Sequence, residues 1–147
     1  MTDTETTETP KAVRFTADVV CIRGGDVLLI ERGCPPFQGR LALPGGGVDP
    51  GEDPDVAAAR ELLEETGVEV SVDDLIFVGR FDRPDRDPRG RYISDAYVVT
   101  VGADVTARAG DDAAAVQWVP LDAIGDLAFD HNEIVHAALR QRLAAGE

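Results

Sequence analysis

The chain has 147 residues, of which 44% are hydrophobic. This length and content allow one domain with its own core, and we expect no second full domain. A formal net charge of −14 at pH 7 disfavours binding to a nucleic-acid polymer or to an anionic membrane surface.

The amino terminus and the lysine content add two expectations. Residues 1–10 lack the basic and apolar regions of a signal peptide, and no stretch approaches the roughly 18 apolar residues of a membrane span. We therefore expect a cytoplasmic protein with a disordered tail at 1–10 and a single domain at 11–147. Lys11 is the only lysine, and with the acidic charge this indicates a salt-loving source or a GC-rich genome.

The domain is expected to open with a β-hairpin. Residues 13–22 and 27–31 are rich in aliphatic and β-branched side chains, and Gly24 and Gly25 lie between them. Prolines and glycines dominate residues 32–47, which predicts a loop with one short apolar piece.

A helix is predicted to follow this loop. Asp53 can act as its N-cap, Pro54 suits the first helical position, and Gly67 is a natural C-terminal stop. We expect one face of the helix to pack against the core, through Val56, Ala59 and Leu63. The other face would be acidic, with Glu61, Glu64 and Glu65.

The second half of the chain reads as strands that end in a helix. Strands are predicted at 68–71, 75–81, 92–101 and 115–119. A helix is predicted at 132–143, with an apolar stripe of Ile134, Val135, Ala138, Leu139 and Leu143. Strands outnumber helices and no βαβ unit repeats, so an α/β fold with a mixed sheet between a few helices is expected.

The three helix glutamates pose an electrostatic problem. At spacings of three and four residues, Glu61, Glu64 and Glu65 are neighbours on the helix surface and repel one another. Either the face is well solvated, or it holds a partner of opposite charge. Carboxylate oxygens are hard ligands, so Mg²⁺ or Mn²⁺ is a suitable partner.

The spacing of these residues matches a known motif. From Gly46 the chain places Glu52 after five residues, Arg60-Glu61-Leu62 after seven more, then Glu64-Glu65 and Gly67-Val68, each after one residue. This pattern resembles the Nudix box at every defined position. The resemblance implies a Nudix-type α/β/α sandwich with a mixed β-sheet between helices. It also implies a pyrophosphohydrolase that depends on Mg²⁺ or Mn²⁺.

The resemblance assigns roles within the box. It implies Glu61 and Glu65 as metal ligands, Glu64 as a ligand or catalytic helper, and a further ligand in the carbonyl of Gly45. Arg60 would hold a glutamate in place through charge-assisted hydrogen bonds. Glu52, in the preceding loop, would belong to the same catalytic group. A solvated acidic helix face is the alternative interpretation of these residues.

The substrate is suggested by sequence outside the box. A loop interleaves aspartates with four arginines that could bracket phosphate or ribose groups, namely Arg83, Arg86, Arg89 and Arg91. This loop, "YISDAY" at 92–97 and "LAFDH" at 127–131 are similar to stretches of the ADP-ribose pyrophosphatase branch of Nudix proteins. The resemblance implies ADP-ribose as the substrate and AMP and ribose 5-phosphate as products. Alternatively, the loop is a solvated charged hairpin.

Other site residues are less well determined. Phe37 and Tyr97 are candidates for packing an adenine, although each could be a core or loop residue. Asp112, next to Asp111 before the strand at 115–119, is a candidate general base. Its rivals are Asp85 and Asp87, whereas His131 is expected to serve as a cap or packing residue.

Two alternative functions share the same motif. One is a nucleotide-sanitising or dinucleoside polyphosphate hydrolase, and the other is a sensor that binds ADP-ribose without hydrolysing it. We expect a small nucleotide as the binding partner, and the oligomeric state is either a monomer or a homodimer.

Overall fold

The computed structural model describes residues 12–110 and 113–144. The strands are β1 (Val13–Arg23), β2 (Asp26–Arg32), β3 (Leu41–Ala42), β4 (Gly45–Gly47), β5 (Ile76–Phe81), β6 (Arg91–Thr100) and β7 (Ala113–Pro120). The α-helices are α1 (Pro54–Thr66) and α2 (His131–Ala144), and 3₁₀ turns span Val72–Asp74 and Leu121–Ala123. The tail predicted at 1–10 lies outside the described residues.

The strands form one mixed seven-stranded sheet. Its main order is β3-β2-β1-β6-β5, with β4 paired to β1 and β7 paired to β2. The central pair β1 and β6 is parallel, whereas β1 with β2, β2 with β7 and β5 with β6 are antiparallel. The predicted hairpin at Gly24 and Gly25 is confirmed, because Arg23 pairs with Asp26 across that turn.

The two faces of the sheet carry separate cores. One face packs against α1 and buries Ala17, Val19, Cys21, Ala57, Ala58 and Leu62. The other packs against α2 and buries Val20, Ile22, Val98, Ile134, Val135 and Ala138. Successive residues of a strand point to opposite faces, so β1 supplies both cores. The α/β/α sandwich with a mixed sheet between helices is confirmed.

The ends of α1 are as predicted, but its packing face is not. Pro54 opens the helix and Gly67, at φ 74°, ends it. Ala57, Ala58, Leu62 and Thr66 are the buried residues. Val56 and Leu63, which were expected to pack, are 42% and 45% exposed. The small alanines allow α1 to approach the sheet closely. Relative to the predicted packing face, the helix is rotated about its axis, and Glu61 and Glu65 therefore face β4.

Two further predictions were wrong at the level of strands. Residues 68–71 are not a strand, because Val68 and Val70 pack beside α1 without pairing to the sheet. The segment at 32–47, predicted as a loop with one short apolar piece, contributes the short strands β3 and β4. Among the described residues, no helix has the length and apolar content needed to cross a membrane.

Candidate active site

The glycines of β4 bring two helix glutamates against the sheet. The Gly45 N–H donates to Glu65 Oε1 at 2.8 Å. A Cβ added to Gly46 would lie 2.5 Å from Glu61 Cδ, a distance that side-chain atoms do not tolerate. The Glu61 carboxyl group therefore lies directly on the backbone of Gly46. Glycine at position 46 leaves room for this carboxyl group, whereas glycine at position 45 leaves room for Ala17 and Asp18 of β1.

Arg60 is the positively charged partner of the crowded acidic groups. It donates to both oxygens of Glu52, at 2.8 and 2.9 Å, and to Glu61 Oε2 at 2.9 Å. It also donates to Glu64 Oε1 at 3.3 Å and to the Gly47 carbonyl at 2.9 Å. One guanidinium thus holds three carboxylates and a backbone oxygen in a fixed arrangement.

The pKa values of Glu52 and Glu61 are shifted in opposite directions. Hydrogen bonds from Arg60 and then from the Asp49 N–H lower the pKa of Glu52 to about 2. Burial raises the pKa of Glu61, and the hydrogen bond and charge of Arg60 offset that rise only in part. Glu52 is therefore ionised at neutral pH, whereas the burial of Glu61 is compensated only in part.

The acidic groups suit a divalent cation by their chemistry. Within residues 12–110 and 113–144, no three His, Cys, Asp or Glu side chains form a cluster that would hold a metal ion as it stands. However, Glu61, Glu64 and Glu65 offer hard oxygen donors on one side of α1, and Glu61 lies in a setting that an added positive charge would relieve. The residues therefore fit Mg²⁺ or Mn²⁺.

Two neighbouring cavities lie beside the glycines of β4 and share part of their lining. A narrow cavity of about 100 Å³ is lined by Glu65, Asp18, Arg86 and His131 among others. A wide groove of about 810 Å³ is lined by Phe15, Asp49, Glu52 and Arg80 among others, and its volume is in the range of small-molecule sites. Both are lined by Thr16, Arg32, Gly45, Gly46, Arg89 and Tyr92.

Of the four predicted loop arginines, Arg89 is the one that reaches both cavities. Its Nη2 donates to Asp87 Oδ2 at 2.7 Å. Its Cζ lies 4.9 Å from the ring centroid of Tyr92 and 5.5 Å from that of Phe129. The cation is therefore held in place before any ligand binds.

The other three loop arginines have different surroundings. Arg86 is buried and donates to both oxygens of Asp130, at 2.9 and 2.8 Å, beneath the narrow cavity. Arg83 pairs with Glu133 at 2.9 Å and lines neither cavity. Arg91 lines a separate surface groove.

The predicted aromatic residues line neither cavity. Tyr97 is 8% exposed, belongs to the core on the α1 side and packs edge-on against Phe77. Phe37 packs edge-on against Phe129, with ring centroids 4.9 Å apart, and it is Phe129 that lines the narrow cavity. Asp112 lies outside the described residues.

Among the cavity-lining residues that sequence reasoning missed, three are polar and central to the site. Asp18 is a buried carboxylate within an apolar strand, and its inward-facing position in the alternation of β1 was a signal that could have identified it. Arg32, at the end of β2, lies with its Cζ 4.9 Å from the Phe129 ring centroid. Tyr92 faces the same space from β6. The last two carry no local sequence signal, because only the tertiary fold brings them to the box.

Comparison with known proteins places these features in context. A family model described as the NUDIX domain matches residues 13–139. An ADP-ribose pyrophosphatase of Methanocaldococcus jannaschii is 40% identical over 124 residues, covering 84% of this chain and 71% of the relative.

Two solved structures are also similar. The NUDIX domain of Shewanella oneidensis NrtR, complexed with ADP ribose, has a TM-score of 0.80 and 28% identity, covering 97% of this chain and 99% of the other. A bifunctional NMN adenylyltransferase/ADP ribose pyrophosphatase of Francisella tularensis, complexed with AMP and a Mn ion, has a TM-score of 0.79 and 30% identity. It covers 93% of this chain, which spans 44% of the Francisella chain.

Proposed function

This chain belongs to the NUDIX domain family, and from that premise we propose that it hydrolyses ADP-ribose to AMP and ribose 5-phosphate. The observation that carries the proposal is the position of Arg89. A fixed guanidinium lines both cavities together with Gly45 and Gly46, and Glu65 lines the narrow one. The acidic helix and a phosphate-binding arginine therefore face the same space.

The box residues supply the setting for hydrolysis. Glu61, Glu64 and Glu65 would hold Mg²⁺ or Mn²⁺, with the Gly45 carbonyl as a further ligand. The cation would neutralise phosphoryl charge and activate a water molecule. Arg60 keeps Glu52, Glu61 and Glu64 in their places.

The reaction itself needs one water molecule. Its oxygen bonds to one phosphorus, the bridging P–O bond breaks, and the bridging oxygen leaves with the other phosphate. A base must accept the proton of that water. Glu64, with a side chain 56% exposed, is accessible for this role as the alternative to being a metal ligand, and Asp112 remains its rival.

The substrate would span the two cavities. Arg32 and Arg89 line both and carry the charge expected to contact the diphosphate. The wide groove has room for a nucleoside, and the relatives named with ADP-ribose support that choice of ligand. We propose no contact from Arg83 or Arg91, which lie apart from the cavities.

The proposal is tested by product analysis. With Mg²⁺ or Mn²⁺, ADP-ribose should give AMP and ribose 5-phosphate, and EDTA should stop the reaction. Glu65→Gln should lower kcat by about a hundredfold or more, because loss of a residue that only supports a metal ligand already costs up to about a hundredfold. Glu69→Gln is the matched control, because Glu69 is exposed beyond the end of α1.

Other outcomes would identify the alternatives. Faster turnover of an oxidised dNTP, NADH or a diadenosine polyphosphate would support a hydrolase that acts on that compound and not on ADP-ribose. The likeness to the ADP ribose complex of the NrtR domain supports a second candidate, a sensor. Tight ADP-ribose binding without metal-dependent turnover would establish that function instead.

The proposed partner is thus a small nucleotide, not a nucleic-acid polymer, in keeping with the net charge of −14. A homodimer remains part of the proposal, and light scattering of the full chain would test it.

A further inference from the structure

Four segments that are distant in sequence meet at one buried carboxylate, that of Asp18 in β1. Ser94 Oγ, from β6, donates to Asp18 Oδ2 at 2.6 Å. Arg86 Nη2, from the loop before β6, and His131 Nε2, from the start of α2, lie 3.9 and 3.8 Å from the same oxygen. Asp130 completes the group through its two hydrogen bonds with Arg86. We call these five residues the Asp18 network.

The Asp18 network is almost completely removed from water. None of its members is more than 8% exposed. Two carboxylates share one guanidinium, and because burying charged groups is costly, a hydrophobic replacement is often no less stable. Stability alone therefore gives a poor account of this network.

One side of the network supports the glycines of β4. Leu43 N–H donates to His131 Nδ1 at 2.9 Å, so a neutral imidazole carries its proton on Nε2, which faces Asp18. Gly45 lies directly on Asp18, because a Cβ there would collide with the Asp18 carboxylate and the Ala17 carbonyl. Gly45 in turn donates to Glu65. A continuous chain of contacts thus runs from Asp18 to a glutamate of α1.

The other side of the network anchors the loop that carries Arg89. Arg86 is fixed to α2 through Asp130. One residue later Asp87 begins the turn in which its carboxylate accepts from the N–H and the guanidinium of Arg89. The position of Arg89 over the cavities therefore depends on where Arg86 is held.

We propose that the Asp18 network is a positioning device that sets Glu65 and Arg89 relative to each other. Asp18, Ser94 and His131 fix Gly45 and hence Glu65. Arg86 and Asp130 fix the Arg89 loop. Metal binding and diphosphate binding then share one rigid frame, as supporting shells of functional sites require. The substrate part of this inference rests on the proposed function, whereas the metal part does not.

Two substitutions in the full chain test the two sides. Ser94→Ala removes the hydroxyl that holds Asp18 and should raise the dissociation constant for Mn²⁺, measured by isothermal titration calorimetry, by about tenfold. Asp130→Asn keeps the shape but loses one charge-assisted bond to Arg86. It should raise KM for ADP-ribose by about tenfold and change kcat much less.

A core substitution provides the matched control. Val27→Ala opens a void in the core on the α2 side, beside Ile22 at the end of β1 that lies away from Asp18. It should lower Tm and leave the Mn²⁺ dissociation constant and KM within about twofold of the wild type. Ser94→Ala and Asp130→Asn should exceed that control in the binding constants at an equal or smaller loss of Tm.

The proposal is overturned if the network variants lose Tm as Val27→Ala does while both binding constants stay unchanged. If Asp130→Asn does not fold, Ser94→Ala decides the Glu65 side, and Asp130→Glu, which keeps the charge but displaces the carboxylate from Arg86, replaces it as the test of the Arg89 side. If the wild type does not hydrolyse ADP-ribose, the proposed function fails, and the Mn²⁺ titrations still decide whether the network positions Glu65.

Discussion

Arg60 and Glu52 form a fork-to-fork pair across eight residues of sequence, with N–O distances of 2.8 and 2.9 Å. Two parallel bonds fix orientation as well as distance. The pair ties the loop before α1 to the second turn of the helix, and the same guanidinium reaches Glu61. The geometry of the box thus depends on a planar donor and not on positive charge alone.

Arg60→Lys tests this dependence because it keeps the charge and removes the fork. We expect kcat/KM to fall by about tenfold and the free energy of unfolding to fall by about 1 kcal/mol. Steady-state kinetics and urea unfolding would measure both. A lysine variant with wild-type activity would show that charge alone is sufficient at this position.

The close contact of Gly46 with Glu61 gives a second prediction. Gly46→Ala places a methyl group against the Glu61 carboxyl group, so the carboxyl group or β4 must move. We expect activity to fall by at least about tenfold and stability to fall by about 1–3 kcal/mol. The matched control is Gly47→Ala, because a Cβ at Gly47 meets no atom within 4 Å. Equal effects of the two substitutions would contradict the contact.

His131 should make stability depend on pH. Burial lowers the pKa of His131 below its usual 6.5. Among the charges that face it, Asp18 and Asp130 raise the pKa, whereas Arg86 and Arg32 lower it. The unfolded chain binds a proton below about pH 6.5 before the folded chain does. The stabilisation from a neutral His131 is therefore complete above that pH and is lost as the pH falls.

His131→Asn isolates this effect, because its amide oxygen can still accept from the Leu43 N–H without titrating. Below pH 6.5 the wild type should lose about 1.4 kcal/mol of unfolding free energy per pH unit more than the variant, until the folded protein itself takes up the proton. Urea unfolding of both proteins from roughly pH 5 to 8 would measure the difference. Parallel stability curves would show that His131 does not contribute.

The acidic charge gives a prediction about salt. A net charge of −14 repels itself, and added salt screens that repulsion. For a salt-loving source we expect Tm to rise by about 4 °C or more between roughly 0.1 and 2 M KCl. Glycerol at the same osmolality is the control for nonspecific stabilisation. A Tm that does not change with KCl concentration would favour the explanation that a GC-rich genome replaced lysine with arginine.

The parts of the fold that were predictable are those with local causes. A Gly-Gly turn gives the first hairpin, and the Asp53-Pro54 start and Gly67 stop bound α1. These signals act within a few residues, so the sequence displays them directly. The Nudix box was visible for the same reason, since its spacing is contained in one loop and one helix.

The rotation of α1 could not be predicted from the apolar pattern. Hydrophobicity favours Val56 and Leu63, yet the glutamates dock on β4 and leave both apolar residues half-exposed. The Asp18 network was hidden for a related reason, because Ser94 and Asp18 are 76 residues apart in sequence and Arg86 and Asp130 are 44 apart. Long-range pairs of this kind depend on the finished sheet.

The parallel pairing of β1 with β6 has a consequence for how the protein acquires its chemistry during folding. The ladder that aligns Asp18 with Ala96 joins the first and sixth strands, so closing it requires a long loop containing all of α1 and β5. Such high-contact-order pairings form slowly. The core on which α1 packs includes Tyr97 and Val99 of β6, so α1 should reach its final position over β4 only when this ladder is in register. Turnover should therefore appear during refolding with the late, cooperative phase and not with the early gain of helix signal.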